Sequence, residues 1–195
     1  MIPIDKLSDA ILLEIFASYV DQNRLTKRST KRTIEAWQTL VHICRRWRRI
    51  VFASPHRLNL QLVCTPETPA IDRPDPWPAF PLVIRGYVLG THLDNIIAVL
   101  QRNDNRVCSI NLDGLTKLQL DEISAVTLGR FTELRDLQLS GHYGVMSYDN
   151  KSFLHGSAPP RLQSLSLDHI PLLRLPKLLS SASQLVHLRL WFSYF

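Results

Sequence analysis

The sequence contains LRDLQL at residues 134–139, LQSLSL at 162–167 and LVHLRL at 185–190, three matches to the pattern LxxLxL. Alternating leucines give each segment the two-residue period of a β-strand with one buried face. Two further apolar segments, at 82–84 and 107–112, precede them, and the five segments end at intervals of 28, 27, 28 and 23 residues. A strand-containing unit therefore repeats along the C-terminal part of the chain.

Repeats of 20 to 29 residues with an LxxLxL strand are typical of leucine-rich repeats. Between two of the strands, HLDNIIAVLQRN at 92–103 has apolar residues at helical spacing. A strand and its returning helix cannot bury their apolar faces alone, so successive units must stack into a solenoid. Leu115, His142 and Ile170 replace the Asn or Cys that usually follows each strand. We therefore expect an irregular solenoid with a short parallel sheet and a leucine core.

The first apolar stretch of the chain is LSDAILLEIF at 7–16. Ser8 is suited to cap a helix and Asp9 to occupy its first turn. On a helical wheel the apolar residues of 10–20 cover far more than the third of the circumference that a surface helix buries. This helix is therefore either central to its own domain or shared between that domain and a partner.

A second amphipathic helix is predicted over 36–55, AWQTLVHICRRWRRIVFASP. Its wheel places Trp47 in an apolar arc of about 120°, opposite the arginines of 45–49. This position favours a core tryptophan over a base-stacking nucleic-acid site. The basic segment 21–35 contains no aromatic residue and is expected to be a connecting loop. The full predicted arc is Leu40, Ile43, Cys44, Trp47, Ile50 and Val51.

These patterns divide the chain into three parts and predict an α+β to α/β fold class. A small helical module occupies 1–56, and a junction with a strand at 57–62 and a Pro-rich spacer at 65–81 fills 57–81. The repeat region occupies 82–195. It ends on a strand without a polar capping repeat, and we therefore expect either that it is C-terminally incomplete or that its aromatic tail folds back as a cap.

Composition restricts the function. The 195 residues carry a net charge of +6 and three cysteines, Cys44, Cys64 and Cys108, which lack any CxxC spacing and are expected to be buried thiols. The N-terminus lacks a signal peptide and no apolar run is long enough to cross a membrane, so a cytoplasmic or nuclear location is expected. No nucleophile, phosphate-loop or metal motif is present, so we expect no catalysis, no cofactor and no bound metal.

A helical module followed by leucine-rich repeats resembles the F-box proteins, and particularly the fungal group of F-box-like domain proteins. LSDAILLEIF at 7–16 resembles the LPxEILxxIF opening of the family, and HICRRWRRIV at 42–51 is similar to its VCkrWrxla helix. The resemblance implies a non-catalytic substrate receptor of a Skp-cullin-F-box ubiquitin ligase, whose helices dock on the Skp adaptor and whose repeats bind a target protein. The adaptor-binding residues that it implies are Leu7, Ser8, Ile11, Leu12, Ile15, Val41, Cys44 and Trp47.

The target-binding residues follow from loop position. The insertion at 141–161 holds His142, Tyr143 and Tyr148 on one rim of the repeats, where loops usually carry specificity. Two other functions remain open. The chain is either a repeat scaffold that recruits no ligase or, less favoured, a basic module that binds nucleic acid through the arginines of 24–49.

Overall fold

A computed structural model describes residues 4–26, 36–67, 80–88, 93–103, 105–127, 131–142, 158–170 and 175–191. The chain separates into two compact units, Met1–Leu62 and Val63–Phe195. Helices combine with a six-stranded sheet in a mixed α/β fold, which confirms the predicted fold class at this level.

The first unit is helical. After a short 3-10 turn at Ile4–Lys6 it contains α1 (Asp9–Thr26), α2 (Ala36–Val41) and α3 (Arg45–Ala53). Ser8 caps α1, because its Oγ accepts the Ile11 N–H at 3.4 Å. The helix continues through Thr26, so the prediction of a loop beginning at residue 21 is wrong for 21–26. Apolar Val20, the residue before this stretch, is buried in the core of the unit.

The predicted single helix at 36–55 is two helices separated at residues 42–44. The N–H groups of His42 and Ile43 bond to carbonyls three residues earlier, which tightens the end of α2. Cys44 then adopts an extended backbone and its Sγ accepts the Trp47 N–H at 3.5 Å, which starts α3. The break changes the direction of the side chains, so Ile43 and Cys44 are exposed and the predicted continuous arc is wrong at both positions.

The core of the first unit joins the helices to the segment that follows them. The Trp37 indole is fully buried and its Nε1 donates to the Gln61 carbonyl at 3.1 Å. The predicted strand at 57–62 is wrong except at Leu62, because residues 57–59 form a turn in which Asn59 has a positive φ of 45°. Buried apolar residues of the unit are Leu12, Phe16, Val20, Ala36, Trp37, Leu40, Val41, Ile50, Val51, Leu58 and Leu60.

The sheet has its strands in sequence order. They are β1 (Leu62–Cys64), β2 (Leu82–Tyr87), β3 (Val107–Leu115), β4 (Asp136–Gly141), β5 (Ser164–Asp168) and β6 (His187–Trp191). The pairs from β2 to β6 are parallel. All five apolar segments that the sequence predicted as strands from residue 82 onward are strands.

One face of this sheet is apolar and buried. In register across it lie Ile84, Ile110, Leu137 and Leu165, all at most 3% exposed. Three helices of the same unit bury apolar side chains and complete this core: α4 (Leu93–Arg102), α5 (Lys117–Thr127) and α6 (Leu175–Ser181). Helix α4 confirms the prediction at 92–103.

Helix α5 was not predicted from the sequence. Its apolar pattern is weak, since Leu118 is exposed while Leu120 and Ile123 are buried. The feature of the sequence that could have predicted α5 is the capping motif at its N-terminus. Thr116 Oγ1 accepts the Gln119 N–H, and Gln119 Oε1 accepts the Thr116 N–H at 2.9 Å, which is a capping box readable as T-x-x-Q.

Candidate functional site

Helix α1 carries two parallel rows of apolar side chains. Leu12, Phe16 and Val20, spaced four residues apart, are at most 1% exposed. Phe16 also contacts Trp47, with ring centroids 4.6 Å apart and the rings tilted by 53°. This row fastens the helix to its own unit.

The second row lies one residue earlier at each turn. Ile11 is 49% exposed, Ile15 is 45% exposed and Tyr19 is 38% exposed. Within the same unit Ile4 and Ile43 are also large exposed apolar residues. We call Ile11, Ile15 and Tyr19 the open row. These three half-exposed apolar side chains recur along one face of α1, and this makes the face a candidate docking surface.

The first turn of α1 is held by arginines of α3. Arg46 donates from Nη2 to the Leu7 carbonyl at 2.5 Å and to Asp9 Oδ1 at 2.7 Å, and Arg49 lies 3.6 Å from the other Asp9 oxygen. Arg48 donates from Nε to the Val41 carbonyl at 3.0 Å. Three of the four arginines of 45–49 therefore make contacts inside their own unit.

The structure places the predicted adaptor-binding residues in three environments. Ser8, Ile11, Ile15 and Cys44 are exposed, Leu7 and Trp47 are half-buried, and Leu12 and Val41 are fully buried. The buried pair, Leu12 and Val41, belongs to the core of the unit and is not itself available for contact. Sequence reasoning missed Tyr19, although its position eight residues after Ile11 places it on the same face of the helix.

The second candidate surface is the other face of the sheet. Residues that alternate with the buried leucines point to this face, which we call the polar face. In register across it lie Arg85, Asn111, Gln138, Ser166 and Arg189. Asn111 Nδ2 donates to Gln138 Oε1 at 3.3 Å, so neighbouring strands are tied on this face as well.

Carboxylates lie at the C-terminal end of this polar face. On β3, Asp113 follows Leu112, which pairs with Leu139 of β4. On β5, Asp168 pairs with Ser140 of β4. Burial raises the pKa of the Asp113 carboxyl, and the negative charge of Asp168 raises that pKa further. Asp168 Oδ1 is buried without a hydrogen-bond donor among the described residues, and His169 Nε2 lies 3.5 Å from it.

The predicted rim loop is only partly described. His142 is exposed just after β4, while Tyr143 and Tyr148 lie outside the described residues. The cysteines differ from the prediction that all are buried, since Cys64 is buried, Cys108 is half-buried and Cys44 is exposed. Cys108 Sγ donates to the Leu82 carbonyl at 3.3 Å, and burial raises the pKa of its thiol, so it is not poised as a nucleophile.

No protein-family model, curated protein or solved structure matches this chain. Within the described part of the chain no helix is long and apolar enough to cross a membrane. No set of three or more His, Cys, Asp or Glu side chains there could hold a metal ion. The open row and the polar face are the surfaces from which a function can be argued.

Proposed function

We propose that this chain is the substrate receptor of a Skp-cullin-F-box ubiquitin ligase. Its first unit is an F-box-like module that docks on a Skp-type adaptor, and its second unit is an irregular leucine-rich-repeat solenoid that binds a target protein. The observation that carries the proposal is the open row of α1, Ile11, Ile15 and Tyr19, beside a fully buried row on the same helix.

The two rows explain why α1 has more apolar surface than a helix buries against its own unit. One row already fills the core, so the other is free to enter an apolar groove of a partner. Burying the exposed half of an isoleucine stabilises a complex by about 1 kcal/mol. Two isoleucines and a tyrosine at helical spacing therefore supply a meaningful share of the binding free energy of a groove-bound helix.

The polar face supports the assignment of a target-binding surface to the second unit. Parallel sheets normally have both faces covered, and their strands are then apolar throughout. Strands β3 to β5 instead alternate buried leucine or isoleucine with half-exposed or exposed polar residues. A strand order that follows the sequence, with helices after β2, β3 and β5, is the arrangement expected of stacked repeats.

The proposed role is proximity and not catalysis. A receptor raises the effective concentration of its target beside the catalytic partner of the ligase, and it needs no reacting groups of its own. The proposal therefore assigns the whole function to the two binding surfaces.

A purified Skp-type adaptor tests the proposal through capture of the full-length chain. We expect Ile15→Asp to reduce capture by at least about ten-fold, because a carboxylate would have to be buried in an apolar groove. Ala10→Asp is the matched control, since Ala10 is exposed on the same helix and lies outside the open row. The control adds the same charge and should leave capture unchanged.

Leu12 is unsuitable for this test because it is fully buried, so Leu12→Asp would unfold the first unit. Thermal unfolding of each variant checks that Ile15→Asp retains its fold. The proposal fails if the wild-type chain does not bind the adaptor, or if folded Ile15→Asp binds as well as Ala10→Asp does. In either case the scaffold function without ligase recruitment becomes the better explanation.

The contacts of the arginine cluster weigh against the nucleic-acid function. Arg46 and Arg49 pair with Asp9, and Arg48 binds a backbone carbonyl. Phosphate binding would have to compete with these contacts. A steep loss of affinity for a DNA or RNA duplex with rising salt would nevertheless revive this function.

A further inference from the structure

The net positive charge of the chain lies entirely in its first unit. Residues 1–62 contain eleven lysines and arginines and five aspartates and glutamates, which gives this unit a net charge of +6. In residues 63–195 the two kinds of residue are equal in number, at twelve each. The unit that carries the open row is therefore strongly basic, whereas the unit that contains the sheet is neutral as a whole.

The arginines of α3 keep much of this charge after their contacts within the unit are made. Asp9 is shared by Arg46 and Arg49, so one carboxylate faces two guanidinium groups. Arg48 donates to a backbone carbonyl, which carries no net charge. Arg45 is exposed and forms no hydrogen bond or ion pair with the described residues. A positive surface therefore remains on the arginine cluster, which consists of Arg45, Arg46, Arg48 and Arg49.

The arginine cluster adjoins the open row because α3 contacts α1. Asp9, which pairs with Arg46, lies two residues before Ile11 at the start of the row. Phe16, which contacts Trp47 of α3 with ring centroids 4.6 Å apart, directly follows the second isoleucine of the row. The basic helix and the apolar row are therefore parts of one continuous surface of the first unit.

A carboxylate that borders the open row is itself paired. Glu14 lies three residues after Ile11, so the two side chains are neighbours on the surface of the helix. Glu14 forms an ion pair with Arg57, whose side chain is half-exposed. This border of the row therefore adds no net negative charge that would oppose the arginine cluster.

We propose that the partner of the open row is an acidic protein surface, in which an apolar groove is bordered by carboxylates. This inference rests on the proposed function in taking the open row as the docking surface, and it adds the chemistry of the partner. Protein interfaces commonly combine an apolar core with a polar rim, and opposite charges on the two rims favour association.

The apolar row and the charge select this partner together. Nucleic acid would match the charge but offers no apolar groove that could cover the row. An uncharged groove would cover the row and leave the arginine cluster without a complement. An anionic membrane has both properties, but insertion requires an apolar face that enters the bilayer by roughly 5–10 Å. The side chains of the row are only 38–49% exposed and form a shallow strip.

A pair of helical peptides tests the charge of the partner without the adaptor. Each has about twenty residues, roughly 30 Å of helix, with a stripe of leucines that stands in for the apolar groove. The remaining positions are mostly glutamate in one peptide and mostly lysine in its twin. We expect the glutamate peptide to bind the full-length chain in fluorescence anisotropy at low salt, and the lysine twin to show no binding.

Charge reversal locates the interaction. Arg45→Glu with Arg49→Glu should weaken binding of the glutamate peptide at least about ten-fold. Arg102→Glu with Arg135→Glu is the matched control, because it changes two exposed arginines of the second unit and gives the same net charge. The control should bind as the wild-type chain does. In 1 M salt, where the screening length is about 3 Å, the difference between the two variants should become small.

Two further variants keep the test decisive. Arg45→Gln with Arg49→Gln removes the charges without adding repulsion, so it should weaken binding in the same direction even if the glutamate variant does not fold. Ile15→Asp should also weaken binding, because the peptide has to cover the open row. Thermal unfolding of each variant checks that it retains its fold.

The outcomes are distinct from those of the adaptor test. The inference is overturned if the glutamate peptide does not bind, if the lysine twin binds as well, or if both double reversals weaken binding equally. Vesicles of phosphatidylserine and phosphatidylcholine that bind when the glutamate peptide does not would overturn it in favour of a lipid surface. Loss of adaptor capture with the expected peptide results contradicts the proposed function and leaves this inference standing.

Discussion

At the scale of the residue, Asp113 links stability to pH. Burial and the Asp168 charge raise the pKa of its carboxyl above the ordinary value of 3.8. Between pH 3.8 and the raised pKa, the folded protein holds a proton that the unfolded chain has released. The free energy of unfolding therefore falls as the pH rises through this interval. Above the raised pKa the fold carries the full cost of the ionised group.

We predict that Asp113→Asn raises the thermal midpoint at pH 7 and that this gain disappears as the pH approaches 3.8. Thermal unfolding of the two proteins across this pH range measures the difference. Glu122→Gln, which neutralises an exposed carboxylate on α5, is the control and should show no such trend. A gain that is equal at every pH would contradict the explanation.

Single residues also show which features could be predicted from the sequence and which could not. The alternation of leucines was enough to place Ile110, Leu137 and Leu165 in the core, because a two-residue period has only one interpretation in a half-buried strand. The repulsion between Asp113 and Asp168 could not be predicted in the same way. These residues are 55 positions apart by their numbers, and only the strand register brings them to one face.

At the scale of the element, the start of α3 is capped by a weak acceptor. Cys44 occupies the position where Ser, Thr, Asp or Asn is preferred, and its Sγ accepts the Trp47 N–H. We predict that Cys44→Ser raises the free energy of unfolding by about 0.5 kcal/mol, because a hydroxyl is the stronger acceptor at this position. Urea unfolding of the full-length chain measures this change.

The side chain of Cys44 is exposed, so the substitution leaves no cavity. Cys44→Ala is the companion variant, and it should be less stable than Cys44→Ser. Equal stability of the serine and alanine variants would mean that the cap contributes nothing to α3.

The helices also show why element boundaries were harder to predict than strands. The helical wheel for 36–55 assumed one continuous helix. Residues 42–44 include no proline or glycine, the residues that usually indicate a break. Tertiary packing decides the outcome here, because breaking at Cys44 allows both Trp37 and Val51 to be fully buried.

At the scale of the whole molecule, exposed apolar side chains occur in both units. The open row lies in the first unit, and Leu188 on β6 is 45% exposed although its counterpart Leu165 on β5 is buried. Such surface favours self-association. We predict that Ile11→Lys with Ile15→Lys increases the soluble, monomeric fraction of the chain expressed alone, as measured by size-exclusion chromatography.

A matched variant, Ala10→Lys with Ala53→Lys, adds the same charge at exposed positions outside the open row. It should improve the monomeric fraction less. If both variants behave alike, added charge is sufficient to explain the improvement. If neither helps and Leu188→Lys does, the edge of the sheet is the source of association.

The two rows of α1 have one further consequence, which concerns the choice between alternative folds. Leu12, Phe16 and Val20 repeat Ile11, Ile15 and Tyr19 with an offset of a single residue, and the two sets are close in volume and hydrophobicity. Rotating the helix by about 100° would exchange them, so burial of apolar area distinguishes poorly between two orientations. The contacts from Arg46 to Asp9 and to the Leu7 carbonyl, and the pair of Arg57 with Glu14, form in the orientation observed. Exposed ion pairs add little to total stability, but between two orientations of similar apolar burial even a small difference favours the one in which the open row faces outward.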